Sequence, residues 1–217
     1  MHIQLGILDA IKTTGANAGT LAILAGSALA LVRKPTLVLK AGLAAIFFSA
    51  FMQSFHMSVG PSELHFIGAS AVYLLFGFLP TLFGFALGLL LQALIFEPAD
   101  MLHIGVNSLS LILPLAAAHA LFGKRFFQTK NATNVAWVNI VKFDAIYYAG
   151  VVTMVGFWLW IANVATPFHA WAVFALSYLP VVAIEPLFTF AVIWLLKRHG
   201  NFNLLKSFTV VNKLKLA

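Results

Sequence analysis

The sequence predicts an all-α integral membrane protein with about seven transmembrane helices, its amino terminus outside and its carboxyl terminus in the cytoplasm. Three observations carry this reading. Of the 217 residues, 62% are hydrophobic and only 9% are charged, whereas a soluble domain carries about 25% charged residues. Mean hydropathy is +0.98. The apolar residues gather in runs close to the ~20 residues that cross a hydrocarbon core about 30 Å thick. Candidate spans cover 14–32, 35–55, 64–79, 81–96, 102–122, 143–165 and 170–196. The expected organisation is a single transmembrane domain over 1–217, with 197–217 as a basic cytoplasmic tail.

The first span lies between Asp9 and Lys12 on one side and Arg33 and Lys34 on the other. Leu21 to Ala30 has the apolar core of a signal peptide, and Ala28-Leu29-Ala30 resembles a cleavage site. The charges run the other way, because Lys12 is offset by Asp9 while Arg33 and Lys34 follow the apolar segment directly. That order is expected of an uncleaved span whose far end is cytoplasmic, so His2 is expected to be retained. Gly15 and Gly19 form a small pair on this span. Ala41, Ala45 and Ser49 form a small row, four residues apart, on the second. Such rows let helices approach closely. Packing within the chain is the plainer reading of both, and contact with a partner helix is the functional one.

Residues 64–96 form one apolar run. A single helix of that length would be about 50 Å long, too long for a core about 30 Å thick. Gly77 and Pro80 interrupt it, and Phe76-Gly77-Phe78-Leu79-Pro80-Thr81 reads as a tight turn between two short helices. Charge supports the hairpin. With the amino terminus outside, Arg33, Lys34, Lys40, Lys124, Arg125, Lys130, Lys142, Lys197, Arg198, Lys206, Lys213 and Lys215 fall inside, leaving only Lys12 outside. Asp9, Glu63, Glu97 and Asp100 fall outside. Basic residues gather in cytoplasmic loops, and this pattern requires seven spans. The tail, with Phe202, Leu204, Leu205, Phe208, Val210 and Val211 among its basic residues, is expected on the inner membrane surface.

Composition excludes several functions. There is no cysteine, hence no disulfide, thiolate site or cysteine nucleophile. The net charge of +7 follows from the loop bias, and no basic patch is interleaved with aromatics, so nucleic acid is not an expected partner. No Walker-type phosphate loop occurs, so any ATP use belongs to a partner chain.

The histidines are unevenly placed. His2, His56, His65, His103 and His169 fall at or near the outer end, and His119 and His199 fall inside. Single histidines near spans are mostly solvated ends or satisfied core residues. Five on one side, with Glu97 and Asp100 nearby, point toward a metal site, because imidazole nitrogen is the commonest metal donor. Met1-His2 adds a chelator if the chain begins there: the α-amine, the backbone nitrogen of His2 and its imidazole close on one ion. A histidine such as His65 would complete a square, a geometry suited to Ni(II) or Cu(II). Glu185, followed by Pro186, is the deepest acid on this reading. Such a residue is a functional candidate by default, although a nearby donor could hold it structurally.

Four stretches resemble the membrane-embedded substrate-binding (S) component of cobalt/nickel energy-coupling-factor transporters, the CbiM/NikM family. They are Met1-His2-Ile3, the segment from Gln53 through His56 and Gly60 to His65 and Gly68-Ala69, Leu91-Gln92 to Phe96-Glu97, and Leu102-His103-Ile104-Gly105-Val106-Asn107. The likeness is good over 1–125 and topological beyond. It implies a Ni(II) or Co(II) ion held by the Met1 amine, the His2 backbone nitrogen and imidazole, and His65, with Asn107 orienting the ligands or gating the site. It also implies a transmembrane coupling protein, two cytoplasmic ATPase subunits and in some cases a small auxiliary membrane subunit. The chain departs from the family pattern at Gln4-Leu5-Gly6 and at Ser62-Glu63-Leu64, and His56 and His103 are extra donors that could broaden the site or relay the ion inward.

Two other classes compete. A stand-alone metal permease would need polar residues through the membrane interior, and the sequence offers only Glu185 there. A rhomboid-type intramembrane serine protease would use His103 and Asn107 with Ser62. The order is reversed, however, and Ser62 lies in a loop, while an activated nucleophile needs a base within hydrogen-bond reach.

Overall fold

The computed structural model describes residues 6–60, 62–128, 133–199 and 207–216. Helices dominate: α1 Ala10–Val32, α2 Pro35–Ser54, α3 Ala69–Phe76, α4 Phe78–Ile95, α5 Ile104–Leu121, α6 Trp137–Trp160, α7 Phe168–Ser177 and α8 Leu179–Arg198. Between α2 and α3 lies a two-stranded antiparallel hairpin, β1 His56–Val59 and β2 Ser62–His65. Among the described residues, six helical stretches are long and apolar enough to cross a membrane. This is a multi-pass membrane protein of the cell's inner or plasma membrane.

Asp9 starts α1, its carboxylate accepting from the Lys12 backbone N–H at 2.9 Å. Pro35 opens α2 in the first turn, where its missing N–H costs nothing. The centre of the molecule is the α2–α4 pair. Gly84 approaches Ala44 and Ala45, and Gly88 approaches the Ala45 carbonyl and Phe48. Gln92 donates to the Ser49 carbonyl at 2.7 Å and to its hydroxyl at 2.9 Å. Contact positions rise together along both helices, so the two run parallel. Ala41, Ala45 and Ser49 are buried by this packing. Packing within the chain, the plainer of the two readings, thus takes the place of a partner-helix surface: Ala45 faces Gly84 and Gly88, and Ser49 faces Gln92. Gly15 has open space around it, and Gly19 meets only Leu109.

Parallel neighbours require a return of the chain between them. Residues 55–77 make it, and here the structure differs from the sequence reading of a span over 64–79. The hairpin occupies the first half, and α3 has only eight residues, about 12 Å of helix. The turn is sharper than expected. Gly77 alone, at φ 84°, separates α3 from α4, and Pro80 falls within the first turn of α4. Thr81 on α4 donates to the Val72 carbonyl at 3.2 Å, closing the angle between the two helices.

One end of the bundle collects the basic residues. The segment 207–216 ties it together: Val210 N–H donates to Leu75 O at 2.7 Å and Val135 N–H to Lys215 O at 2.6 Å. Lys40 reaches the Thr209 carbonyl at 3.2 Å, and Lys197 reaches that of Leu214. The tail expected on a membrane surface is, over its described part, packed on the ends of α2, α3 and α8. The opposite end carries the β-hairpin, the 3-10 turn Pro98–His103, and the α6–α7 connection, where Lys12 bonds to Asn163.

Candidate functional site

The hairpin brings together two of the five histidines assigned to one end. His56 and His65 are register partners, and their rings stack with centroids 5.8 Å apart. His56 is exposed and His65 is buried, at 3% exposure. His65 Nε2 lies 3.1 Å from Glu63 Oε2, and its Nδ1 lies 3.5 Å from the Met52 carbonyl. Both ring nitrogens therefore face oxygen acceptors, and a metal would replace a proton on one of them. Phe66 N–H donates to Phe55 O at 3.1 Å, anchoring the strand beside the end of α2. Gly68, in the left-handed region at φ 66° and ψ 31°, turns the chain into α3.

His103 and Asn107 stand one turn apart at the start of α5, both buried. Asn107 Oδ1 has no hydrogen-bond partner among the described residues. A buried acceptor left unmade costs about 1–3 kcal/mol, so this atom is suited to a donor group arriving from elsewhere. Asn17 on α1 accepts from the Gly105 N–H at 2.9 Å, and Thr20 donates to the Gly105 carbonyl at 3.0 Å. These bonds fix the start of α5 against α1. His169 lies exposed in the first turn of α7.

Met1 and His2 lie outside the described residues. Among the described residues no group of three His, Asp or Glu is placed to hold a metal ion, so His56, His65, His103 and His169 do not form a cluster by themselves. Ser62 is buried in β2, and its hydroxyl has no hydrogen-bond partner among the described residues. The base that a serine nucleophile requires is not engaged with it. His119 is held at the other end by Tyr73, whose hydroxyl lies 2.7 Å from its Nδ1.

A family model described as the cobalt uptake substrate-specific transmembrane region, CbiM, matches residues 2–201. The chain belongs to the CbiM family. CbiM membership makes it a transport component and not an enzyme, and implies association with a coupling subunit and ATPase subunits. A solved structure titled as the crystal structure of a transition metal transporter has the same fold, with a TM-score of 0.74 over 96% of this chain and 97% of that one, at 18% identity. No curated protein matches the chain.

The sequence reading missed one polar group of the interior. Asp144 on α6 is as deeply buried as Glu185, which corrects the reading of Glu185 as the one deep acid. Setting the span's start at residue 143 had placed Asp144 at its edge, whereas α6 begins at Trp137. Donors for Glu185 exist: Ser70 N–H at 3.3 Å and the Tyr148 hydroxyl.

Proposed function

We propose that this protein is the ion-capturing subunit of an energy-coupling-factor-type importer for Ni(II) or Co(II). The observation that carries the reading is the CbiM match over residues 2–201, joined to the buried His65 at the end of a hairpin. The Met1 amine, the His2 backbone nitrogen and imidazole, and His65 supply four nitrogens, a set suited to a tetragonal ion. Asn107 Oδ1, buried and without a hydrogen-bond partner among the described residues, would accept from a group of that set and fix its orientation. His56, stacked on His65, and His103, one turn before Asn107, are donors along the approach of the ion. Seven crossings are proposed, the third being the hairpin with α3, with the amino terminus outside and the basic end cytoplasmic. A transmembrane coupling protein and two ATPases complete the importer, joined in some cases by a small auxiliary membrane subunit.

The test is bound nickel or cobalt per purified protein. A long amino-terminal tag removes the free amine, so the tagged protein should lose tight binding, as should His2→Ala and His65→Ala. A carboxyl-terminal tag should have no effect, and His56→Ala and His103→Ala should have smaller ones. The α-amine has a pKa of about 7.7–8.0 and must lose its proton to bind, so affinity should fall as the pH is lowered through that range. Stoichiometric binding by the amino-terminally tagged protein would show that the ligand set is wrong.

A further inference from the structure

Two acids lie inside the helical bundle, and metal capture uses neither. Asp144 on α6 and Glu185 on α8 are each 0% exposed. Ser70, in the first turn of α3, touches both. Its hydroxyl donates to Asp144 Oδ2 at 2.9 Å, and its N–H donates to Glu185 Oε1 at 3.3 Å. Thr189, one turn beyond Glu185, lies 2.8 Å from Ser70 Oγ. The Ser70 proton points to Asp144, so the Thr189 hydroxyl is the donor in that pair. Tyr148 donates its hydroxyl to Glu185 Oε2. Three helices that are distant in sequence thus meet on one polar network.

The charges do not balance. Among the described residues no lysine, arginine or histidine bonds to either carboxyl. An uncompensated ionised carboxylate in an apolar interior costs far more than a hydrogen bond returns. The amino-terminal end of α3 offers the equivalent of about half a positive charge, which cannot offset two acids. Two further atoms are left over. Asp144 Oδ1 is fully buried and has no hydrogen-bond partner among the described residues, and the same is true of the Tyr147 hydroxyl. The Tyr147 ring packs edge-on against that of Tyr148, with centroids 5.2 Å apart. A spare carboxyl lone pair on Asp144, beside the hydroxyls of Ser70 and Thr189, is what a small cation would engage.

We propose that Asp144 and Glu185, with the hydroxyls of Ser70 and Thr189, form a binding site for one monovalent cation, a proton or a sodium-sized ion, that holds α3 against α6 and α8. The donors are all oxygen, which suits a hard ion and not the transition ion that prefers imidazole nitrogen. An added proton sits on a carboxyl oxygen, Asp144 Oδ1 being the one with no donor among the described residues, and needs no movement, whereas a sodium ion requires the hydroxyl oxygens, 2.8 and 2.9 Å from their partners, to part slightly. The other titratable groups facing the pair are Tyr147 and Tyr148 on α6 and Tyr178 at the α7–α8 junction, which packs on Tyr148 with ring centroids 5.0 Å apart. On α3, Tyr73 bonds instead to His119. The test of this site does not use nickel or cobalt.

The test is thermal unfolding of the full chain in detergent, in two series. One replaces sodium chloride with choline chloride at fixed pH and ionic strength. The other lowers the pH from mildly alkaline to mildly acidic without sodium. The midpoint should rise by about 5–10 °C once the bound cation is about a hundredfold above its dissociation constant. A rise with sodium identifies the metal ion, and a rise only with acid identifies the proton. Asp144→Asn and Glu185→Gln keep the shape and remove the charge, so either should flatten the responding series. Ser70→Ala keeps both acids and should shift it to higher cation concentration. A wild-type midpoint flat in both series overturns the proposal, as does a response that survives in both acid variants. If those variants do not fold, the wild-type series and Ser70→Ala still decide.

Discussion

Gly68 shows how much one residue can determine here. Its backbone sits in the left-handed region, which costs a residue with a side chain about 1–2 kcal/mol. A Cβ there would also collide with the Phe51 ring, which itself packs edge-on against Phe66 and Phe188. Both effects oppose substitution, and the ring cannot move without disturbing its neighbours. Gly68→Ala should therefore lower the unfolding midpoint of the purified chain by several degrees, about 2–4 °C per kcal/mol for a chain this size. An unchanged midpoint would mean that the junction between hairpin and α3 is not held as described. The sequence marked this glycine only through its place after His65. The space a side chain would need there is filled by Phe51, seventeen positions away, and no local signal encodes that. Asp144 was hidden for a related reason, because a boundary displaced by a few residues turns an interior acid into an interfacial one.

At the level of elements, the long helices were legible because length and hydropathy decide them. The third was not. An apolar run such as 64–79 reads equally as strand, short helix or span when periodicity is the only guide, and here it is strand first and helix afterwards. What divides it is Gly68, whose left-handed backbone turns the strand into α3; the buried pair Asp144 and Glu185 then meets the first turn of α3 from two other helices. The α2–α4 contact was half legible. Ala41, Ala45 and Ser49 announced a close approach, and the facing Gly84 and Gly88, also four apart, name the partner. Ala45→Leu should then destabilise the chain itself. Filling a close-packed interface costs about 1–3 kcal/mol, and the Gly88 approach to the Ala45 carbonyl leaves no room for three more carbons. The check is the unfolding midpoint of the isolated chain. A normal midpoint with lost subunit assembly would instead restore this row to a partner surface.

For the whole molecule, charge and packing give the same division by separate routes. The positive-inside pattern requires an extra crossing between the second and fourth candidate spans, and the parallel run of α2 and α4 requires a return over 55–77. Neither argument uses the other. Together they place Arg33, Lys34, Lys40, Lys124, Arg125 and Lys197 at the end tied by residues 207–216, and the hairpin with the turn Pro98–His103 at the opposite end, where the ion is proposed to enter. Orientation in the membrane is then a single binary choice, and the chain allows a clean test of it. It has no cysteine, so one introduced thiol reports alone. Ala99, exposed beside the turn, and Lys124, exposed at the end of α5, lie at opposite ends of the same helical hairpin. In intact cells a membrane-impermeant maleimide should label Ala99→Cys and leave Lys124→Cys unlabelled until the membrane is opened. Reversed labelling would place the hairpin and His65 in the cytoplasm, where a site that captures ions for import could not receive them. Labelling of both from outside would mean that α5 does not cross, which its buried contacts with α1 and α6 do not permit in a folded chain.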